Sequence, residues 1–217
     1  MDGKTIQTKV LVQYLAQVLD VTQYRDYCPN GLQVQGKPQI RHLVSGVTAC
    51  QALIEAAVAQ QADVILVHHG YFWRGEDPCV VGQKQRRLKL LLEHDINLLA
   101  YHLPLDMHVQ WGNNAQLGRL LSLTVQTRFG EDDLGWLGIA DDSVKPSMHT
   151  VGDLVQRLTQ CLGRKPLLIG DPEQELGQIA WCTGAAQSLL GAAIDAGATV
   201  FLSGEISEPT VHLARES

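Results

Sequence analysis

The sequence predicts an α/β protein made of two related lobes, and three observations predict it. Strand-like and helix-like stretches alternate along the first half, residues 63–67 (DVILV) form a nearly unbroken apolar run, and a stretch of the first half recurs in the second. A short apolar run without polar alternation is buried on both faces, the habit of strands in a parallel sheet. Alternation of such strands with helices is the α/β pattern.

Taken in order, Val10, Leu11, Tyr14, Leu15, Val18 and Leu19 recur at helical spacing, so the chain opens with an amphipathic helix over 9–19. Pro29-Asn30-Gly31 is a turn signal. Residues 43–47 read as a strand, 51–60 as an Ala-rich helix and 63–67 as a strand. After these come a helix at 84–93, a strand at 96–101 and a helix at 114–121. Residues 122–149 carry glycines, the acidic trio Glu131, Asp132 and Asp133, and no helical period. They read as the passage, with short strands, from a first lobe at 1–124 into a second at 125–217. Thr150 followed by Asp153 has the form of a capping box and predicts a helix running to about Leu162.

The repeat lays 43–69 on 179–205 without gaps, at a constant offset of 136. Gln51/Gln187, Leu53/Leu189, Val64/Val200 and Leu66/Leu202 coincide, together with four alanine pairs. A duplicated strand–helix–strand unit explains this. It also sets His68-His69, just past one strand, on Gly204-Glu205, just past its copy. Ligands of open α/β sheets gather beyond the carboxyl ends of strands, so a site between the lobes follows.

Composition narrows the function classes. Hydrophobic residues make up 45% and charged residues 18%, an ordinary globular balance. The net charge of −6 argues against a nucleic-acid partner, which favours a basic surface. Lys84, Arg86, Arg87 and Lys89 read as the solvated face of one helix. No apolar stretch is long enough to span a bilayer and the first residues lack a signal-peptide run. Five scattered cysteines without a CxxC pair suit a reducing compartment and read as small buried hydrophobes, so the expected location is cytoplasmic. GxSxG, GxGxxG and Walker patterns are absent from the sequence, which disfavours a serine hydrolase or a dinucleotide enzyme.

Adjacent histidines on a strand point to opposite faces, so His68 and His69 do not easily chelate one ion. At a strand end they suit two neighbouring ions, one each; the bland alternative is a pair of hydrogen-bonded structural histidines. The strand at 96–101 delivers His102-Leu103-Pro104-Leu105-Asp106. Asp106 offers a carboxylate that bridges ions about 3.5–4 Å apart in two-metal sites, or else it is a turn residue or helix cap. His102 reads as a ligand or as a group orienting one, and Glu205 as facing the same cleft or starting a helix. Imidazole with carboxylate suits zinc, iron, manganese or nickel.

These residues carry a resemblance. Asn30-Gly31-Leu32-Gln33 with Gly36, Val67-His68-His69-Gly70, His102-Leu103-Pro104-Leu105-Asp106, Gly112-Asn113-Asn114 and Ser203-Gly204-Glu205 resemble, in order, the YbgI-type dinuclear metal centre proteins, the GTP cyclohydrolase 1 type 2 homologues. The resemblance covers nearly the whole chain. It implies two α/β lobes, a toroidal homohexamer and two divalent metal ions. The implied ligands are His68, His69 and Asp106, with His102 near the metals but outside the ligand set. The implied activity is metal-dependent hydrolysis of a purine nucleotide, possible substrate GTP, by a metal-bound hydroxide. Another two-metal hydrolysis, of a phosphoester or an amide, and a non-catalytic metal-binding scaffold are the alternatives. The family pattern continues past Ser217 into a further strand and a Gly-His-x-x-Thr-Glu type motif, so weakened metal binding and lowered stability are expected of this chain.

Overall fold

The computed structural model describes residues 4–217, which fall into two compact units, one ending at Leu105 and the other spanning Asp106–Ser217. In the first unit β1 (Ile6–Gln7) leads into α1 (Thr8–Val18), followed by β2 (Gly31–Val34), β3 (Gln39–Ile40) and β4 (Leu43–Thr48). Then come α2 (Gln51–Ala59), β5 (Val64–His69), α3 (Gly82–Glu93) and β6 (Asn97–Ala100). The sheet order is β2-β6-β5-β4; β4, β5 and β6 are mutually parallel, β2 is antiparallel to β6, and β1 pairs with β3 in a separate two-stranded sheet. β2 is an element that the sequence does not announce. Gly31, expected in a turn, begins it at φ +114°, a conformation that a side chain would resist.

The apolar run at 64–67 is central and buried on both faces, as its composition requires. Ile65 and Val67 pack with Ile54, Ala57, Leu91 and Leu98 on one face. Val64 packs with Leu99, Tyr101 and Ile40 on the other, where Leu11, Val12 and Leu15 of α1 supply the helical stripe. At the amino end of β5 the buried Asp63 accepts from Lys37 Nζ (2.7 Å), Arg41 N (2.8 Å) and His42 N (3.1 Å). The basic cluster of α3 is not uniformly solvated: the Lys84 side chain is only 14% exposed and pairs with Glu76 at 3.0 Å, which leaves Arg86 and Lys89 outside.

Across the boundary runs α4 (Leu103–Met107), a short helix where the sequence suggested a strand-end loop. The second unit continues with α5 (Asn113–Leu120), β7 (Leu123–Phe129), β8 (Gly135–Ala140), α6 (Val151–Leu162) and β9 (Ile179–Cys182). It ends with α7 (Leu190–Asp195), β10 (Val200–Ser203) and α8 (Glu208–Glu216). Its sheet order is β10-β9-β8-β7, with β9 and β10 parallel and β7 and β8 antiparallel to their neighbours. The helix α5, counted from sequence with the first lobe, packs through Ala115, Leu117 and Leu121 against Trp181, Leu154 and Leu158. The capping box is present: Thr150 Oγ1 accepts from Asp153 N at 3.2 Å, and Asp153 Oδ2 accepts from Thr150 N at 2.9 Å.

Positions 136 residues apart adopt the same hydrogen bonds. Leu43 pairs with Val64, and Ile179 with Val200. The His42 carbonyl accepts from Asp63 N and Val64 N at 2.9 and 3.3 Å; the Gln178 carbonyl accepts from Thr199 N and Val200 N at 2.8 and 3.3 Å. The turn that ends each helix repeats as well, Ala62 N to Ala57 O and Ala198 N to Ala193 O.

Candidate metal centre

Two parallel strands present the histidines. Val67 of β5 pairs with Ala100 of β6, and Tyr101 N then donates to Val67 O (3.1 Å), so residues 101–102 leave the sheet beside His68. The rings of His68 and His69 are 4.4 Å apart between centroids, and that of His102 lies 5.0 and 5.7 Å from them. One ligand atom from each of the three imidazoles falls within 4.8 Å of the others. The two adjacent histidines therefore do approach one another, because β5 is ending where they stand.

Each ring is held by its Nδ1. His68 Nδ1 lies 3.0 Å from the Tyr101 carbonyl, which only accepts, so Nδ1 bears the proton and the lone pair belongs to Nε2. His102 Nδ1 lies 2.8 Å from Asp26 Oδ1. Burial pushes the Asp26 carboxyl up, but hydrogen bonds from His102, Asn30 and the Leu103 amide outweigh it and hold the group at about 2. The ionised carboxylate makes Nδ1 the donor here too. His69 Nδ1 meets the Thr48 hydroxyl at 3.2 Å, a partner able to play either role. Fixing one ring nitrogen by an oxygen while the other serves a metal is the usual arrangement of histidine ligands.

Asp26, Cys28 and His102 form a second close trio, with ligand atoms also within 4.8 Å. It does not suit an ion. Both Asp26 oxygens are taken, Oδ1 by Tyr27 N (2.6 Å) and His102 Nδ1, Oδ2 by Asn30 Nδ2 and Leu103 N (both 2.8 Å). Burial, and after it the Asp26 charge, pushes the Cys28 thiol up to about 12. Of this trio, Asp26 holds His102 by its Nδ1.

The loop after His69 is tightly built. A Cβ on Gly70 would lie 2.1 Å from Gln33 Oε1 and 2.6 Å from Ala100 Cβ. Gln33 brackets Tyr71, accepting from its N–H (2.7 Å) and donating to its carbonyl (3.1 Å), while the buried Tyr71 hydroxyl donates to Ala49 O (2.7 Å). Phe72 adopts φ +64°, a left-handed conformation that a bulky residue resists. Beyond it Trp73 sets its ring edge-on to His102 at 4.9 Å and donates its indole N–H to Gly70 O.

Of the residues singled out from sequence, His68 and His69 come together, and His102, which the resemblance left outside the ligand set, joins them. Asp106 stands half-buried on α4 in the second unit, its Oδ1 accepting from Asn113 Nδ2 at 2.7 Å. Glu205 is exposed just past β10. Sequence reasoning missed Asp26, Thr48 and the Tyr101 carbonyl, and took Asn30 only as a turn and motif residue. Backbone acceptors have no sequence signature, and an acid three residues before a Pro-Asn-Gly turn was the only available sign of Asp26.

With this geometry in view, comparisons with known proteins are informative. The family model described as Duf34/NIF3 (NGG1p interacting factor 3) matches residues 6–217. A Pseudomonas aeruginosa protein named GTP cyclohydrolase 1 type 2 homolog is 52% identical over 215 residues, 98% of this chain and 83% of that protein. An Escherichia coli K12 protein of the same name is 46% identical over 95% of this chain and 81% of its own length. A solved structure described as protein ybgI, of unknown function, superposes with a TM-score of 0.90 at 45% identity and covers 97% of this chain and 83% of its own. Among the described residues no helix is long and apolar enough to cross a membrane. The motifs, a model spanning nearly the whole sequence and relatives about half identical to it converge on one statement: the chain belongs to the Duf34/NIF3 family.

Proposed function

We propose that this protein is a divalent-metal-dependent hydrolase acting on a purine nucleotide, with His68, His69 and His102 gathered at the metal centre and Asp106 as its carboxylate. The observation that carries the reading is the cluster of three imidazoles, two of them with Nδ1 committed as donor to an oxygen acceptor and Nε2 left with the lone pair. Such a donor set fits zinc, iron, manganese or nickel. A bound divalent ion supplies Lewis acidity, lowering the pKa of water to about 7 and stabilising negative charge as it develops. The chain's own contribution is to hold the rings: Tyr101 O and Asp26 fix two tautomers, and Gly70 lets the following loop pack against the sheet. The nucleotide, GTP first, comes from the relatives' names. Two ions per chain and a toroidal homohexamer belong to the same reading.

The test uses purified protein loaded with each of the four metals. Metal content and calorimetric affinity are measured first, then formate release from GTP and phosphate release from generic phosphoesters. Formate release lost in His68→Ala supports the proposal. Phosphate release alone replaces the substrate, and turnover that survives His68→Ala refutes metal chemistry. Tight metal binding without turnover leaves a metal-holding scaffold.

A further inference from the structure

Asp26 is the most heavily engaged side chain near the centre that no sequence motif marks. Its side chain is 3% exposed, and its two oxygens accept from four N–H groups: Tyr27 N, Asn30 Nδ2, His102 Nδ1 and Leu103 N. Asn30 completes the grip, since its Oδ1 accepts from His102 N at 2.7 Å. One Asp–Asn pair thus fixes both the ring and the backbone of His102. It does so from the segment before β2, a part of the chain remote in sequence from β5 and β6. All four contacts need an acceptor, so an amide in place of the carboxylate would turn its NH2 toward an N–H.

We infer that Asp26 is the positioning residue of the metal centre: by holding His102 Nδ1 it directs Nε2 of that ring to the ion-binding face shared with His68 and His69. The inference rests on the metal-binding reading above. Asp26 touches neither metal nor substrate in this account and acts only through His102. Outer partners of histidine ligands typically carry 10–100-fold in metal affinity, and an effect of that size is expected here.

The experiment is a double-mutant cycle on the full chain, with Zn(II) affinity read by calorimetry in the unmodified protein, Asp26→Asn, His102→Ala and the double variant. Asp26→Asn is expected to weaken Zn(II) about 10–100-fold, and to have no further effect once His102 is alanine. A residue that only supports the fold would weaken binding equally in both backgrounds, and that result overturns the inference. So does an unchanged affinity in Asp26→Asn. Absence of Zn(II) binding by the unmodified protein sinks the metal reading, and this inference with it. Should a variant fail to fold, nitrogen NMR of the unmodified protein decides: a His102 ring protonated at Nδ1 agrees, and one protonated only at Nε2 refutes it.

Discussion

Gly70 links the packing of the first unit to the placement of the histidines, and Gly70→Ala tests that link. Its backbone lies outside the left-handed region, so alanine meets no conformational penalty and the whole effect is steric. The new methyl would sit 2.1 Å from Gln33 Oε1 and 2.6 Å from Ala100 Cβ. Gln33 must move, losing both hydrogen bonds to Tyr71, about 0.5–1.5 kcal/mol each. Ala100, fully buried on β6, cannot move without shifting the sheet, which adds about 1–3 kcal/mol of overpacking. Together the first unit loses about 4 kcal/mol. Hydrogen–deuterium exchange of peptides spanning β5 and β6 reads this directly, with β8 and β9 as an internal control. Removing the glutamine side chain as well, in Gln33→Ala/Gly70→Ala, forfeits the same two hydrogen bonds and leaves the Ala100 contact in place, so the double variant stays destabilised to a similar extent. Protection of β5 and β6 within about 0.5 kcal/mol of the unmodified protein, the spread usual for surface substitutions, would refute this reasoning.

Three further expectations follow from the packing. Burial pushes the Asp63 carboxyl up, but Lys37 and the Arg41 and His42 amides outweigh it and the net shift is downward. Its stabilisation is therefore complete above the ordinary carboxylate value and disappears as pH falls through the lower folded one. Urea midpoints between pH 5 and 2 should decline more steeply than in Asp63→Asn, and parallel profiles would contradict this. Asn114→Ala should cost about 2–4 kcal/mol in thermal or urea unfolding, since its fully buried side chain accepts from Thr183 N and donates to Leu134 O; a neutral result would contradict it. Gly118→Ala places a methyl 2.9 Å from Trp181 Cζ2 on α5. The gain in helix propensity, about 1 kcal/mol, is outweighed by overpacking of about 1–3 kcal/mol. Near-ultraviolet dichroism should report a disturbed Trp181, and a stabilised protein would show the packing argument wrong.

Apolar periodicity made the skeleton of the fold legible. The run at 64–67 announced a doubly buried parallel strand because no alternation was present, and the Thr150/Asp153 pair marked the start of α6 because a cap is a local interaction. β2 was not legible. Its pairing with β6 depends on residues some seventy positions away, and its first residue carries a turn signature for a legitimate reason, a positive φ. At the site, His68 and His69 stood out by adjacency and by ending a strand. The role of His102 was underestimated, since its approach depends on β6 running parallel to β5 and on Asp26, which arrives from another part of the chain. The exposed Cys79 and the half-buried Cys50 and Cys161 likewise depart from the buried reading that suits Cys28 and Cys182.

Trp73 has a practical consequence. Its indole meets the His102 ring at 4.9 Å, whereas Trp136 and Trp181 are enclosed in the core of the second unit. The protein thus carries an intrinsic fluorophore beside its candidate ion-binding rings. A paramagnetic ion taken up there would dim that emission, so occupancy can be followed in solution without label or substrate, and Trp73→Phe identifies how much of the signal belongs to this one ring.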